Sequence, residues 1–164
     1  RVASRGLGDV YKRQLYLFGY PVVRVLGVGG FLILYFCSLL GGNLFASYYH
    51  RKSNHYAAVG ASGAISGILF STILLYPELE LYLFFIPIPI PGYLFAAAYV
   101  AYSLYGMKMR NDNIGHTAHL GGALCGIVLS ITFKPDLLIE ASRTLIYLSL
   151  TTIAVVFWLF RKKN

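Results

Sequence analysis

Charge is what this chain has least of. Only 12% of its 164 residues are Asp, Glu, Lys or Arg, against about a quarter in a soluble domain. Fully 57% are hydrophobic, where roughly 45–50% is usual. An ordinary soluble domain is excluded. The few charges lean one way, 14 Lys and Arg against 6 Asp and Glu, for a formal +8. Four of the positives and one acid fall within the first fourteen residues. The other basic residues sit singly or in pairs between apolar runs and in the tail Arg161-Lys162-Lys163. No basic face of a soluble domain results, so nucleic acid is not an expected partner. Cysteine is scarce as well. Cys37 and Cys125 each lie inside an apolar run without metal-ligand spacing, and read as packing residues rather than a disulfide. No internal repeat and no H-E-x-x-H motif is present.

What is present is a series of apolar runs near membrane-spanning length. A bilayer core of about 30 Å needs roughly 20 helical residues. The fold class expected is all-α: a polytopic transmembrane helical bundle with about five complete spans plus a partial N-terminal one. Residues 1–14 are polar, charged and without period, with no starting Met and no apolar signal core. They read as a leader foreign to the rest and are left out of the fold. Leu15 to Gly19 reads as the end of a span, with a loop from Pro21 and Arg24. Complete spans are expected over 29–49, 61–76, 93–106, 115–133 and 144–160. Tyr48 and Tyr49 close the first of these as an interfacial belt. Pro87, Pro89 and Pro91 alternate with isoleucines, which forbids helix and demands an extended connection. The domain plan is thus the leader, a membrane core over 15–133, and an additional C-terminal helix with basic tail over 134–164.

Two runs carry chemistry. One opens with Gly60-Ala61-Ser62-Gly63-Ala64-Ile65-Ser66-Gly67, the other with Gly115-His116-Thr117-Ala118-His119-Leu120-Gly121-Gly122. Gly60, Gly63 and Gly67 are spaced by three and four, and Ala118, Gly122 and Gly126 by four. Small residues at such spacing let helix backbones approach closely in a bilayer. Plain packing accounts for Gly67 and Gly126, and the same packing would bring Ser62 within reach of His119. Ser62 in the first turn of its helix has two readings, an N-cap or a nucleophile beside the free opening amides. His119, at membrane depth, is either a satisfied structural histidine or a base able to accept a serine proton. Asp112, His116 and His119 suggest a metal site weakly, since no third strong ligand lies on a span. Gly6-Leu7-Gly8-Asp9 resembles a motif of aspartyl intramembrane proteases, but no second Asp falls within a span.

Gly-x-Ser-Gly at 60–63, followed two spans later by Ala118-His119-x-x-Gly122-x-x-x-Gly126, resembles the rhomboid family of intramembrane serine proteases. Leu17-Phe18-Gly19, Gly27, the run from Phe31 to Phe36, Phe85 to Pro89 and Asp112 to His116 share the resemblance, which covers residues 15 to about 133. It implies Ser62 as nucleophile and His119 as general base, in a dyad without aspartate. Gly60, Ser62 and Gly63 would supply backbone to the oxyanion, and Gly67, Gly122 and Gly126 would pack the helices. The substrates implied are transmembrane proteins, with the lipid bilayer as surroundings, and no metal or organic cofactor. A bacterial inner (plasma) membrane is the expected location.

Three departures accompany the resemblance. The family's oxyanion-stabilising His and Asn would occupy the slots of Leu7 and Tyr11, inside the leader, and its opening helix is missing, so the chain reads as N-terminally truncated. The family often has an aromatic residue four positions after the serine, stacked on the base; here that position is Ser66. Family topology would also put Arg51, Lys52, Lys108 and Arg110 outside, against the positive-inside rule. The alternative is a catalytically silent relative that binds transmembrane helices. A transporter or channel is a distant third.

Overall fold

A computed structural model describes residues 3–52, 61–83, 86–109 and 114–161. The order of elements is α1 (Ala3–Tyr49), α2 (Ser62–Leu75), β1 (Glu80–Leu83), β2 (Ile86–Pro91), α3 (Gly92–Met109), α4 (His116–Phe133), α5 (Leu137–Glu140) and α6 (Ser142–Arg161).

The helix α2 is apolar on every side, and every residue from Gly63 to Leu75 is buried. A helix of that kind has no solvent face and must be surrounded. Its neighbours are the two arms of α1, and α4. Those arms meet at Gly27, whose φ of 70° and ψ of 174° break the helix, a conformation open to glycine without strain. The chain reverses there. A Cβ at Gly19 would lie 3.0 Å from the Phe31 ring, although twelve residues of straight helix would separate the two by about 18 Å. Expecting a loop from Pro21 was therefore wrong. Proline costs a helix one donor and a clash with the fourth carbonyl before it, and the first arm runs through Pro21 to Gly27 regardless. That arm also extends back to Ala3, so residues set aside as a leader are helical from the third onward.

Two core clusters flank α2. Val22, Leu34, Ile68, Leu74, Leu75, Leu137 and Ala141 form one, joining α1, α2 and the α5 region. Leu69, Phe70, Ile73, Ala96, Val100, Ala123 and Leu148 form the other, joining α2, α3, α4 and α6. The C-terminal helix α6 lies alongside α3, with Tyr93 4.9 Å from Tyr147 and Tyr105 6.3 Å from Trp158, ring centre to ring centre. Both thiols are free, Cys37 on the exposed surface and Cys125 packed against Gly41.

The chain is mostly helical, as expected, and the extended connection at the alternating prolines is one strand of a short hairpin. β1 and β2 pair antiparallel, with Glu80 opposite Pro91, Leu81 opposite Ile90 and Leu83 opposite Ile86. Backbone donors of a strand point to alternate edges. Prolines at every second position therefore leave their missing donors on one edge and the isoleucine N–H groups on the other. Gly92 N–H closes the hairpin on the Leu79 carbonyl at 2.7 Å.

Among the described residues, two stretches are long and apolar enough to cross a membrane by length and composition, Lys12–Tyr49, which Gly27 divides into two arms, and His116–Phe133; Ser62–Leu75 and Ser142–Trp158 are shorter apolar helices. The expected count of five complete spans is not confirmed among them. The 14 residues of α2 cover only about 21 Å at 1.5 Å each.

Candidate active site

The site is built where α2 and α4 touch backbone to backbone. A Cβ at Gly63 would lie 3.1 Å from the Ala118 carbonyl oxygen, and one at Gly122 would lie 2.8 Å from the Gly63 Cα. One turn deeper, a Cβ at Gly126 would lie 2.7 Å from the Gly67 Cα, and one at Gly67 2.9 Å from the Gly122 carbonyl oxygen. No side chain fits along this seam. The second arm of α1 covers it, with Gly42 against Gly63 and Ala118, and Ser38 against Gly67. Gly63 follows Ser62 in the chain and Ala118 precedes His119, so the contact between Gly63 and Ala118 adjoins both candidate residues.

Ser62 is the first residue of α2, and the cap position falls to Ala61. No side-chain capping hydrogen bond is made at this end. The first intrahelical bond is from Ile65 N–H to the Ala61 carbonyl at 3.1 Å. The amides of Ser62, Gly63 and Ala64 precede it, at the positive end of the helix dipole. Ser62 is half-buried, and among the described residues its hydroxyl makes no hydrogen bond, to His119 or to any other group. Gly60 lies outside the described residues, as do the side chains of Leu7 and Tyr11 and the whole of Asp112. Among the described residues no group of three His, Cys, Asp or Glu could hold a metal ion.

His119 is half-buried in the first turn of α4, where its N–H bonds the Gly115 carbonyl at 3.0 Å. Its imidazole lies 6.1 Å from the Tyr99 ring at an interplanar angle of 33°, and 6.5 Å from the His116 ring at 76°. His116 is buried, edge-on to Tyr102 at 5.1 Å. At the same end of α4, Thr117 Oγ1 lies 3.2 Å from His50 Nε2 and ties the end of α1 to the start of α4. Sequence reasoning noticed Ser66 only as too small to stack on His119. In the fold its hydroxyl bonds the Ser62 carbonyl at 3.0 Å and the Tyr99 hydroxyl at 2.8 Å. The aromatic ring beside the imidazole thus comes from α3 rather than α2. Nothing local marks Tyr99 among 14 tyrosines.

With this geometry in place, likeness to known proteins is informative. The Rhomboid domain family matches residues 14–136. "Rhomboid protein 1, mitochondrial" of Saccharomyces cerevisiae is 32% identical over 117 residues, covering 70% of this chain and 34% of that protein. "RHOMBOID-like protein 12, mitochondrial" of Arabidopsis thaliana is 33% identical over 124 residues, 66% of this chain and 37% of that protein. The human "Presenilin-associated rhomboid-like protein, mitochondrial" is 32% identical over 120 residues, 69% and 30%. The chain spans about a third of the length of these relatives. No solved structure matches it. A bacterial inner membrane is overturned as the expected location, because these relatives are mitochondrial proteins.

Proposed function

Because the chain belongs to the rhomboid family, we propose that it is an intramembrane serine endopeptidase, or the catalytic part of one, working in a mitochondrial membrane. Ser62 is the nucleophile and His119 the base. The observation that carries this reading is the glycine seam, where the contact of Gly63 with Ala118 adjoins a serine on one helix and a histidine on the other. Packing alone needs the glycines. It gives no reason for a half-buried hydroxyl and imidazole beside them.

The chemistry follows from the groups at that end. His119 accepts the Ser62 Oγ proton as Oγ bonds to the scissile carbonyl carbon of a transmembrane protein substrate. The carbonyl oxygen gains negative charge and faces the opening amides of α2, Ser62 and Gly63 among them. Collapse of this intermediate breaks the C–N bond, and the imidazolium returns its proton to the leaving amine. Water then hydrolyses the acyl-serine by the same route. The arms of α1, with α2, α3, α4 and α6, form the membrane body around this site. No cofactor enters the scheme.

The test is cleavage of a single-span membrane substrate in liposomes by the wild-type chain and by the Ser62→Ala and His119→Ala variants. Cleavage lost in both variants while helical content stays unchanged is the expected result. Cleavage that survives either substitution contradicts the dyad. A wild-type chain that binds the substrate span without cutting it would favour a helix-binding role.

A further inference from the structure

Tyr99 reaches the site from α3, a helix that supplies no reacting group to the scheme above. Its ring lies beside the His119 imidazole at 6.1 Å and 33°. Phe70 meets the same ring edge-on at 5.5 Å, and Phe95 lies 6.3 Å away at 36°. Rings from α2 and α3 thus press on Tyr99 while α4 presents the imidazole to it. The hydroxyl is fixed too. Ser66 has one proton and donates it to the Ser62 carbonyl at 3.0 Å. The bond between the Tyr99 hydroxyl and Ser66 Oγ, 2.8 Å long, is therefore donated by the tyrosine. Ring and hydroxyl together connect the backbone of Ser62 to the plane of His119.

We propose that Tyr99 is a positioning residue for His119, clamped through Ser66 to the turn that carries Ser62. This inference rests on the dyad reading. A half-buried imidazole can swing about its Cβ–Cγ bond, and a neighbouring ring limits that swing. Misplacing a reacting group by about 1 Å costs on the order of 10²-fold in rate. The bond through Ser66 makes the clamp track the nucleophile, so a shift of the first turn of α2 carries the ring with it.

The experiment is the rate of labelling by a fluorophosphonate probe in mild detergent, followed from about pH 5 to 9, across the range where a histidine titrates. Tyr99→Leu is expected to slow labelling about 10-fold or more and to move the midpoint of the pH profile. Tyr99→Phe keeps the ring and is expected to lose only about 2- to 5-fold. Ser66→Ala cuts that bond and the one to the Ser62 carbonyl, so it should lose at least the same factor, and the double variant no more than Ser66→Ala alone. A Tyr99→Leu profile with lower amplitude at every pH but an unmoved midpoint reports a smaller folded fraction and overturns the positioning role. Multiplicative losses in the double variant overturn the clamp. Should Tyr99→Leu fail to fold, the Tyr99→Phe and Ser66→Ala pair decides the matter alone. A wild-type chain that takes up no label removes the dyad reading and this role with it; normal uptake with an indifferent Tyr99 removes only the role.

Discussion

The two ends of α2 use their polar groups in opposite ways. At its C-terminal end every described hydroxyl holds helices together. Ser71 bonds the Gly67 carbonyl at 2.8 Å and the Gly126 carbonyl of α4 at 3.2 Å. Thr72 bonds Ile68 in its own helix at 3.0 Å and Phe18 in α1 at 2.7 Å. Tyr76 reaches the Pro21 carbonyl at 3.4 Å. At the N-terminal end, the Ser62 hydroxyl has no such bond among the described residues, and the amides around it precede the first intrahelical bond. The lesson concerns how a polar group is employed in an apolar bundle. A hydroxyl already bonded to a carbonyl serves structure, whereas one left open at the start of a helix is available for chemistry.

That contrast can be broken most forcefully at Ser62. Ser62→Ala should reduce substrate cleavage by about 10³-fold or more and shift stability by less than about 1 kcal/mol, read as cleavage rate and thermal unfolding of the same sample. The seam uniting both ends comes next. Gly122→Val drives a branched side chain into the Gly63 backbone, and a loss of about 3 kcal/mol or more is expected in unfolding, because backbone cannot yield as a side-chain tip can. The C-terminal end is more forgiving. Thr72→Val should cost about 0.5–1.5 kcal/mol and leave probe labelling of Ser62 unaltered, the converse of Ser62→Ala. The smallest effect is a gain. A Cβ at Gly29 meets nothing within 4 Å, so Gly29→Ala should stabilise by about 0.5–1 kcal/mol through helix propensity alone. A Gly29→Ala loss as large as that of Gly122→Val would show that glycine in these helices matters for its flexibility, and the seam argument would fall.

Much of this arrangement is legible in the sequence where an apolar run meets proline or charge. The expected spans over 61–76 and 115–133 coincide within a residue with Ser62–Leu75 and His116–Phe133. Gly92–Met109 and Ser142–Arg161 depart by up to three residues from 93–106 and 144–160. What escapes is whatever depends on partners distant in the chain. The reversal at Gly27 looks locally like any other glycine in an apolar run, while Pro21 offers a louder and misleading signal. The pairing of Glu80–Leu83 with Ile86–Pro91 needs a cross-strand register that the alternating prolines permit without specifying. Ser66 read alone suggests a base lacking its stacking ring; only the fold brings Tyr99 across from α3.

Whether Ser62 is an activated nucleophile with His119 as its base is decided by treating the chain in mild detergent with a fluorophosphonate probe and locating the adduct by mass spectrometry. A single adduct on Ser62 is expected, absent from His119→Ala and retained by Thr72→Val. An adduct on another residue, or one on Ser62 that forms as fast without His119, would contradict the dyad.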